Sequence, residues 1–213
     1  MNASLLQHSS RAAVPAAAAA IDNHGFTFAR ALMSRRQNVS PKRLVEPGPS
    51  AQQLDDMLTM AGTAPDHGQL TPWRFVIVPT DKRAMLAEVF ALALIDRDPG
   101  ATLEQIEAAR EKAHRAPLLM LAIARVGPVE PPIPVFERLV SLGAAVQNLL
   151  LSAHAMGFGS GLTSGQAMSS PRMRALFALA DGEEPVCFVN VGTVARAKPP
   201  RLRPVAAAYT TSL

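Results

Sequence analysis

The chain has 213 residues, of which 48% are hydrophobic and 18% charged, a composition typical of one globular domain rather than a disordered protein. The formal net charge is +4, but the single Trp and single Tyr disfavour a surface that stacks nucleic-acid bases. No apolar run reaches the roughly 18 residues that cross a bilayer, and the N-terminus lacks the cationic start of a signal peptide. The sequence therefore favours a cytoplasmic protein without membrane or nucleic-acid partners.

The first part of the chain is low in complexity. Residues 1–27 are rich in Ala and Ser without a helical period, so we expect a flexible arm, followed by one domain over residues 28–213 with an extended C-terminal tail. A helix is predicted over residues 26–36, because apolar side chains recur there at helical spacing. Three prolines then predict a loop over residues 37–49.

The middle of the chain alternates between helix and strand patterns. Ser50 and Gln53 form a capping box that begins a helix, and this helix should end near Ala64, because the residue before Pro65 resists helical angles. The predicted elements that follow are a strand over residues 73–79, helices over residues 81–95 and 102–114, and a strand over residues 117–126. The last of these is apolar throughout, which predicts burial on both faces.

The C-terminal half contains one long apolar segment. Residues 134–159 predict a central buried helix that ends at Gly157 and Gly159. A further helix is predicted over residues 169–179, with a serine cap and Pro171 at its first position, and the last core strand over residues 185–194. Few strands separated by single or paired helices indicate an α+β fold rather than a regular strand–helix alternation.

Few residues carry an obvious chemistry. No two histidines have metal-ligand spacing, so we expect no metal site, and the single cysteine, Cys187, reads as a buried inert thiol. Arg35 and Arg36 can either complement a helix end or grip a phosphate. The glycines of GFGSG, residues 157–161, can either close a turn or let backbone amides approach a flat ligand ring. His67 alone has no defined role.

Together these segments resemble the nitroreductase family of FMN-dependent oxidoreductases, and its short bacterial branch in particular. The resemblance covers roughly residues 26–203 and rests on four features in order. They are the arginine pair before a proline-rich loop, the segment APDHGQLTPWRFVIV with Trp73, the apolar helix that runs into GFGSGLTSG, and the strand VNVGTV. It implies a nitroreductase-like α+β fold, in which helices flank a mixed or antiparallel sheet, and an intertwined homodimer with FMN at the subunit interface.

The resemblance also assigns roles to residues. The residues that it places at the flavin are Arg35, Arg36, Gln37, Thr63, His67, Gln69, Leu162, Thr163, Ser164, Arg201 and Arg203. The first three match the segment that grips the phosphate, and either Arg201 or Arg203 of the C-terminal tail is expected to close on it. His67, with Thr63 nearby, matches positions that reach the flavin from the partner chain. The family commonly has a serine where this chain has Gln37.

The activity implied is electron transfer from NADH or NADPH to a nitroaromatic, quinone or similar acceptor by a ping-pong mechanism. No side chain need act as acid or base, because the flavin carries the hydride chemistry. Three alternatives stay open: a relative that uses O2 or a specialised substrate, as in reductive dehalogenation; a non-catalytic flavin-binding protein; and a basic nucleic-acid-binding module. Trp73 should anchor the loop that contains His67 in the core.

Overall fold

The computed structural model describes residues 23–127 and 131–213, so the predicted arm over residues 1–27 lies largely outside the described residues. The helices are α1 Asn23–Arg35, α2 Ala51–Ala61, α3 Arg83–Arg97, α4 Leu103–Arg110, α5 Val135–Ala155 and α6 Pro171–Leu176. The strands are β1 Leu44–Val45, β2 Trp73–Ile77, β3 Leu118–Arg125, β4 Gly159–Thr163 and β5 Glu183–Val194. Residues 23–27, the end of the predicted arm, belong to α1.

The five strands form one sheet. The order is β1-β5-β3-β2, and β4 also pairs with β5; each of these pairings is antiparallel. A single parallel bridge joins Asn38, in the segment after α1, to Ser160 of β4. An antiparallel sheet with helices packed against it confirms the α+β fold.

Strand β3 is the centre of the core. Its alternate residues enter two separate clusters, because successive side chains of a strand point to opposite faces. Met120 packs in the cluster that contains Leu149 of α5, whereas Leu121 packs in the cluster that contains Leu86 of α3. Every residue of β3 except Arg125 is buried, which confirms the prediction of burial on both faces.

Two of the predicted helix starts are confirmed by their capping bonds. The Ser50 hydroxyl accepts a hydrogen bond from the Gln53 amide, and the Gln53 side chain accepts one from the Ser50 amide. The Ser170 hydroxyl accepts one from the Arg172 amide at the start of α6. Helix α2 ends at Ala61, three residues before the predicted end, because the chain turns there through Gly62.

Helix α5 differs from the prediction on one face. It ends before Gly157, whose φ of 87° is one that glycine adopts without strain. The prediction of a central buried helix holds for one face of α5 only, because Phe136 and Val140 are 81% and 70% exposed in the single chain. None of the described helices is both long enough and apolar enough to span a membrane.

Strand β4 was not predicted, and Gly159 lies in it rather than at the end of α5. Small residues hide the strand pattern, since Gly159 and Gly161 contribute no side chain to an alternation. They are required by packing: a Cβ at Gly161 would overlap the carbonyl oxygen of Val39, and one at Gly159 would overlap Val194. These two glycines therefore make room for neighbouring chain, which is the packing interpretation of GFGSG. Strand β1 is likewise a short pairing inside the predicted loop over residues 37–49.

Candidate functional site

A small basic cavity lies where α1 ends beside β4. Its volume is about 290 Å³. The lining residues are Arg35, Arg36, Gln37, Asn38, Val39, Arg43, His154, Gly157, Phe158, Gly159, Ser160, Val194, Ala197 and Lys198. Four of them are Arg or Lys and none is a carboxylate, so the part of the wall formed by described residues carries positive charge without a counter-ion. We call this space the basic cavity.

Several polar atoms of this wall lack a partner. Among the described residues, no group hydrogen-bonds to the buried Nε of Arg36, the buried Nε of Arg43 or the buried hydroxyl of Ser160. Burial lowers the pKa of Arg36, and the charge of Arg203 lowers it further. Buried donors without acceptors are costly, and an anion with several oxygens would satisfy them. The donor set of the basic cavity therefore fits a phosphate group.

The C-terminal tail reaches the same place. The guanidinium of Arg203 donates a hydrogen bond to the carbonyl oxygen of Arg36 at 2.7 Å, and that of Arg43 donates one to the carbonyl oxygen of Arg196 at 2.9 Å. These contacts hold part of the predicted phosphate set, the arginine pair and Arg203, together in one chain. Arg201 is exposed in the same tail.

The segment after Arg36 runs beside β4. The Val39 amide donates a hydrogen bond to the carbonyl oxygen of Ser160 at 2.8 Å, and the Leu162 amide donates one to the side-chain oxygen of Asn38 at 3.0 Å. Leu162 belongs to the predicted flavin set, and its amide already has a hydrogen-bond partner within the chain. Because Gly161 has no side chain, the segment lies directly against the strand.

A larger cavity lies at the other end of β4. Its volume is about 550 Å³, within the range of ligand pockets. Its apolar wall consists of Phe90, Leu94, Ala108, Ala109, Leu119, Ala167, Met168 and Phe188, and its polar wall includes Ser40, Gln105, Thr163, Ser164, Gln166 and Asn190. The rings of Phe90 and Phe188 pack edge to face with centroids 5.6 Å apart. We call this space the ring cavity, since an apolar wall with a polar edge suits a flat heterocycle.

Asn190 fixes the polar edge of the ring cavity. It is buried in β5, and its side-chain amide donates hydrogen bonds to the carbonyl oxygen of Gly161 at 3.2 Å and to the Thr163 hydroxyl at 3.0 Å. Arg97, Lys112 and Arg115 bring three cations to the same cavity, and no carboxylate of residues 23–127 or 131–213 lines it. The predicted residues Thr163 and Ser164 thus face a space with positive charge nearby.

The remaining predicted residues lie elsewhere along α5. Nδ1 of His67 is 2.6 Å from the carboxylate of Glu137 in the first turn of α5. Glu137 and His154 are 17 residues apart, which at 1.5 Å per residue is about 25 Å along the helix. His67 is therefore far from the basic cavity of its own chain, at whose wall His154 lies.

Thr63 and Gln69 lie on either side of His67 in the sequence. The Thr63 hydroxyl accepts a hydrogen bond from Asn148 at 3.2 Å. Gln69 is exposed and has a left-handed φ of 54°. Trp73, which follows this loop, is buried, so the predicted anchor is confirmed. The oxygen Oδ1 of Asp66 is buried and has no hydrogen-bond partner among the described residues.

The structure adds residues that sequence reasoning missed. They are Asn38, Arg43, His154, Ser160, Asn190 and Lys198. Single polar residues in apolar segments, such as His154 and Asn190, were the available signal, but a satisfied core residue produces the same pattern. Cys187 is buried, and burial raises the pKa of its thiol to about 11, as expected of an unreactive residue. Within the described ranges, no three His, Cys, Asp or Glu side chains are grouped to hold a metal ion.

Known proteins share both the sequence pattern and the fold. The model of the nitroreductase family matches residues 40–193. Two bacterial relatives carry the provisional name of NAD(P)H nitroreductase. One, from Haemophilus influenzae, is 31% identical over 76% of this chain and 85% of its own; YdjA of Escherichia coli K12 is 32% identical over the same shares.

Solved structures agree with this grouping at the level of the fold. A nitroreductase-like protein from Bacillus cereus superposes with a TM-score of 0.75 at 17% identity, covering 87% of this chain and 95% of its own. Iodotyrosine deiodinase, solved with FMN and 3-iodo-L-tyrosine, superposes with a TM-score of 0.62 at 23% identity, covering 85% of this chain and 98% of its own. The family match spans more than half of the residues. The chain belongs to the nitroreductase family of FMN-dependent oxidoreductases.

Proposed function

We propose that this chain binds FMN along β4, with the phosphate in the basic cavity and the isoalloxazine ring in the ring cavity. The observation that carries the proposal is the group of buried donors on Arg36, Arg43 and Ser160, which have no partner and no neighbouring carboxylate in the described part of the cavity wall. An FMN-bound structural neighbour supports the choice of cofactor.

The phosphate would be held by guanidinium groups. Arg35 and Arg36 enter the basic cavity from the end of α1, and Arg203 joins them from the tail. Guanidinium donors match phosphate oxygens in pairs. Ser160 brings a hydroxyl to the same wall, and we infer that it replaces the serine that relatives commonly have at the position of Gln37.

The ring would lie against Thr163 and Ser164. The apolar wall around Phe90 and Phe188 excludes water from one side, and the polar edge that Asn190 fixes offers hydrogen bonds. Lys112 and its neighbouring cations place positive charge near the bound heterocycle. Positive charge stabilises a ligand that carries negative charge, and this attraction is stronger when the ligand displaces water from the cavity.

The reaction we propose is electron transfer from NADH or NADPH to a nitroaromatic, quinone or similar electrophile. Bound FMN supplies the hydride chemistry, and the protein supplies binding and orientation. Donor and acceptor would use the ring cavity in turn, which makes the mechanism ping-pong. The names of the bacterial relatives support NAD(P)H as the donor.

We further propose that the active form is a homodimer and that each flavin contacts both chains. His67 is about 25 Å along α5 from the basic cavity of its own chain, so it would serve the flavin of the partner. Helix α1 has no buried residue, α5 exposes Phe136 and Val140, and residues 195–213 are all exposed. Exposed apolar surface of this extent is typical of a subunit interface.

The visible spectrum of the purified protein, followed by anaerobic addition of NADPH, tests the proposal. We expect a flavin band near ~450 nm that bleaches on NADPH and recovers on addition of a quinone. A bound flavin that neither NADH nor NADPH reduces would favour the non-catalytic flavin-binding protein. A colourless protein that also fails to bind added FMN would contradict the proposal as a whole.

A further inference from the structure

His154 occupies an unusual position in the basic cavity. It lies in the last turn of α5 and lines the cavity together with Arg35 and Arg36. The side chain is half-buried, and no ion pair or hydrogen bond of its imidazole is found with the described residues. A partly buried polar ring facing a cavity, without a partner of its own, is placed to contact whatever fills that cavity.

The charged side chains that line the cavity beside His154 are all positive among the described residues. The cations on the cavity wall are Arg35 at the end of α1, Arg36 directly after it, Arg43 from the following turn, and Lys198 from the tail. Helix α2, which packs on α5, carries Asp55 and Asp56, but both are exposed and neither lines the cavity. Burial lowers the pKa of His154, and the charges of Arg36 and Arg35 lower it further. Without an anion, the surroundings of His154 therefore disfavour the protonated imidazole.

We propose that His154 is an additional ligand of the phosphate group, and that its imidazole takes up a proton when the dianion enters the basic cavity. The inference rests on the proposed FMN site and extends it to a residue outside the arginine pair. Two negative charges beside the ring offset the nearby arginines and favour the imidazolium. The imidazolium then donates a charge-assisted hydrogen bond to the anion.

Proton uptake makes anion binding depend on pH. The pKa of His154 is higher in the anion-bound state than in the free state, so affinity is greatest below the free-state pKa. It falls as the pH rises from the free-state pKa to the bound-state pKa. His154 is the one histidine among the described residues that line the cavity. Histidine is the side chain that ordinarily changes its charge near neutral pH. The pH dependence therefore reports this residue.

The first experiment is an NMR titration of the histidine ring protons in the flavin-free wild-type protein, with and without sulfate. Sulfate is the probe because it stays a dianion between pH 5 and 8, whereas a phosphate monoester titrates near pH ~6. We expect sulfate to raise the titration midpoint of His154 by about one pH unit. A His154 midpoint that sulfate does not move overturns the inference without requiring any variant to fold.

The second experiment measures affinity by calorimetry in the wild-type protein, in H154Q and in the control H114Q. We expect sulfate affinity to fall about tenfold between pH 5.5 and 8 in the wild type and in H114Q. The factor is tenfold because a pKa that differs by one unit between the bound and free states changes the affinity by a factor of about ten. In H154Q the fall should be less than about twofold. An equal fall in H154Q overturns the inference.

FMN and riboflavin separate the inference from the function on which it rests. If FMN binds and H154Q weakens FMN but not riboflavin, which lacks the phosphate, both stand. If FMN binds but H154Q changes neither its affinity nor the sulfate profile, the inference about His154 is wrong while the flavin site stands. If sulfate shifts the His154 midpoint but FMN does not bind, the basic cavity is an anion site and the proposed function is wrong.

Discussion

The side-chain oxygen of Asn38 accepts a hydrogen bond from the Leu162 amide at 3.0 Å, across 124 residues of sequence. This bond ties the segment that follows the arginine pair to β4, next to the parallel bridge between Asn38 and Ser160. One end of the strand borders the basic cavity and the other borders the ring cavity. The contact therefore sets the position of one cavity relative to the other.

Gly161→Ala should disrupt this contact. A Cβ there would overlap the carbonyl oxygen of Val39, which is backbone and cannot rotate away. We expect a loss of unfolding free energy of about 1–3 kcal/mol, measured by chemical denaturation, with a matching loss of bound flavin. Gly25→Ala is the control, because nothing lies within 4 Å of a Cβ in that helix, and it should be neutral or slightly stabilising. Equal stability of the two variants would contradict the packing argument.

Replacing Arg35 and Arg36 together with Ala should weaken FMN binding by about 2–4 kcal/mol, because charge-assisted hydrogen bonds to the phosphate would be lost. This corresponds to roughly 30- to 700-fold in dissociation constant. Riboflavin affinity should change far less. Arg30→Ala removes an exposed arginine from the same helix and is the matched control. An unchanged FMN affinity in the double variant would contradict the proposal that the phosphate binds in the basic cavity.

A mixed dimer tests whether His67 serves the partner subunit. One chain carries the Arg35 and Arg36 substitutions and the other carries His67→Ala. If each flavin site uses the arginines of one chain and His67 of the other, one site of the mixed dimer contains all the substitutions and the second site contains none. We expect about half the wild-type flavin content in the mixed species, isolated by two affinity tags, and much less in each parent dimer. His67→Ala alone should change stability by less than about 1 kcal/mol, since its contact with Glu137 is exposed. If the mixed dimer binds no more flavin than its parents, His67 acts within its own chain or not at all.

The pair formed by Arg74 and Glu183 should make stability depend on acid pH. Two hydrogen bonds of 2.7 Å from Arg74 are the largest cause that holds the pKa of Glu183 at about 2. Because the folded-state pKa is lowered, its contribution is present above the unfolded-state pKa near ~4.3 and is lost as the pH falls towards 2. The contribution at pH 7 is at most about 3 kcal/mol.

Denaturation at pH 7 and pH 2.5 in the wild type, E183Q and E184Q checks this expectation. E183Q should lose less stability on acidification than the wild type, whereas E184Q should behave as the wild type does. Glu184 is the matched control, because its contact with Arg174 is 3.4 Å long and exposed. The same acid sensitivity in E183Q and the wild type would show that other carboxylates dominate.

The exposed face of α5 should be part of the dimer interface. Phe136→Asp and Val140→Asp place charges on an apolar strip that is 81% and 70% exposed in the single chain, and we expect monomers by sedimentation. Leu103→Asp is the control, since Leu103 is 80% exposed on α4 and should leave the dimer intact. Wild-type protein that sediments as a monomer would contradict the shared site directly.

Local signals in the sequence determined most of the elements. The capping box at Ser50, the serine and proline before α6, and the apolar run of β3 each act through neighbouring residues, so they could be read without a structure. The order of the arginine pair, the loop before Trp73 and the glycine segment was enough to predict the family, which the comparisons confirm.

The tertiary structure decided what depends on contacts between distant segments. The glycines of strand β4 leave room for the backbone around Val39 to pack against the strand. This contact between distant segments cannot be predicted from the alternation of polar and apolar side chains. The basic cavity exists because α1, the end of α5, β4 and the tail converge, which brings His154, Ser160 and Lys198 beside the arginine pair. The same geometry separates His67 from that cavity by the length of α5. Local propensity acts over a few residues, whereas the positions of charges in a site follow from how whole elements pack.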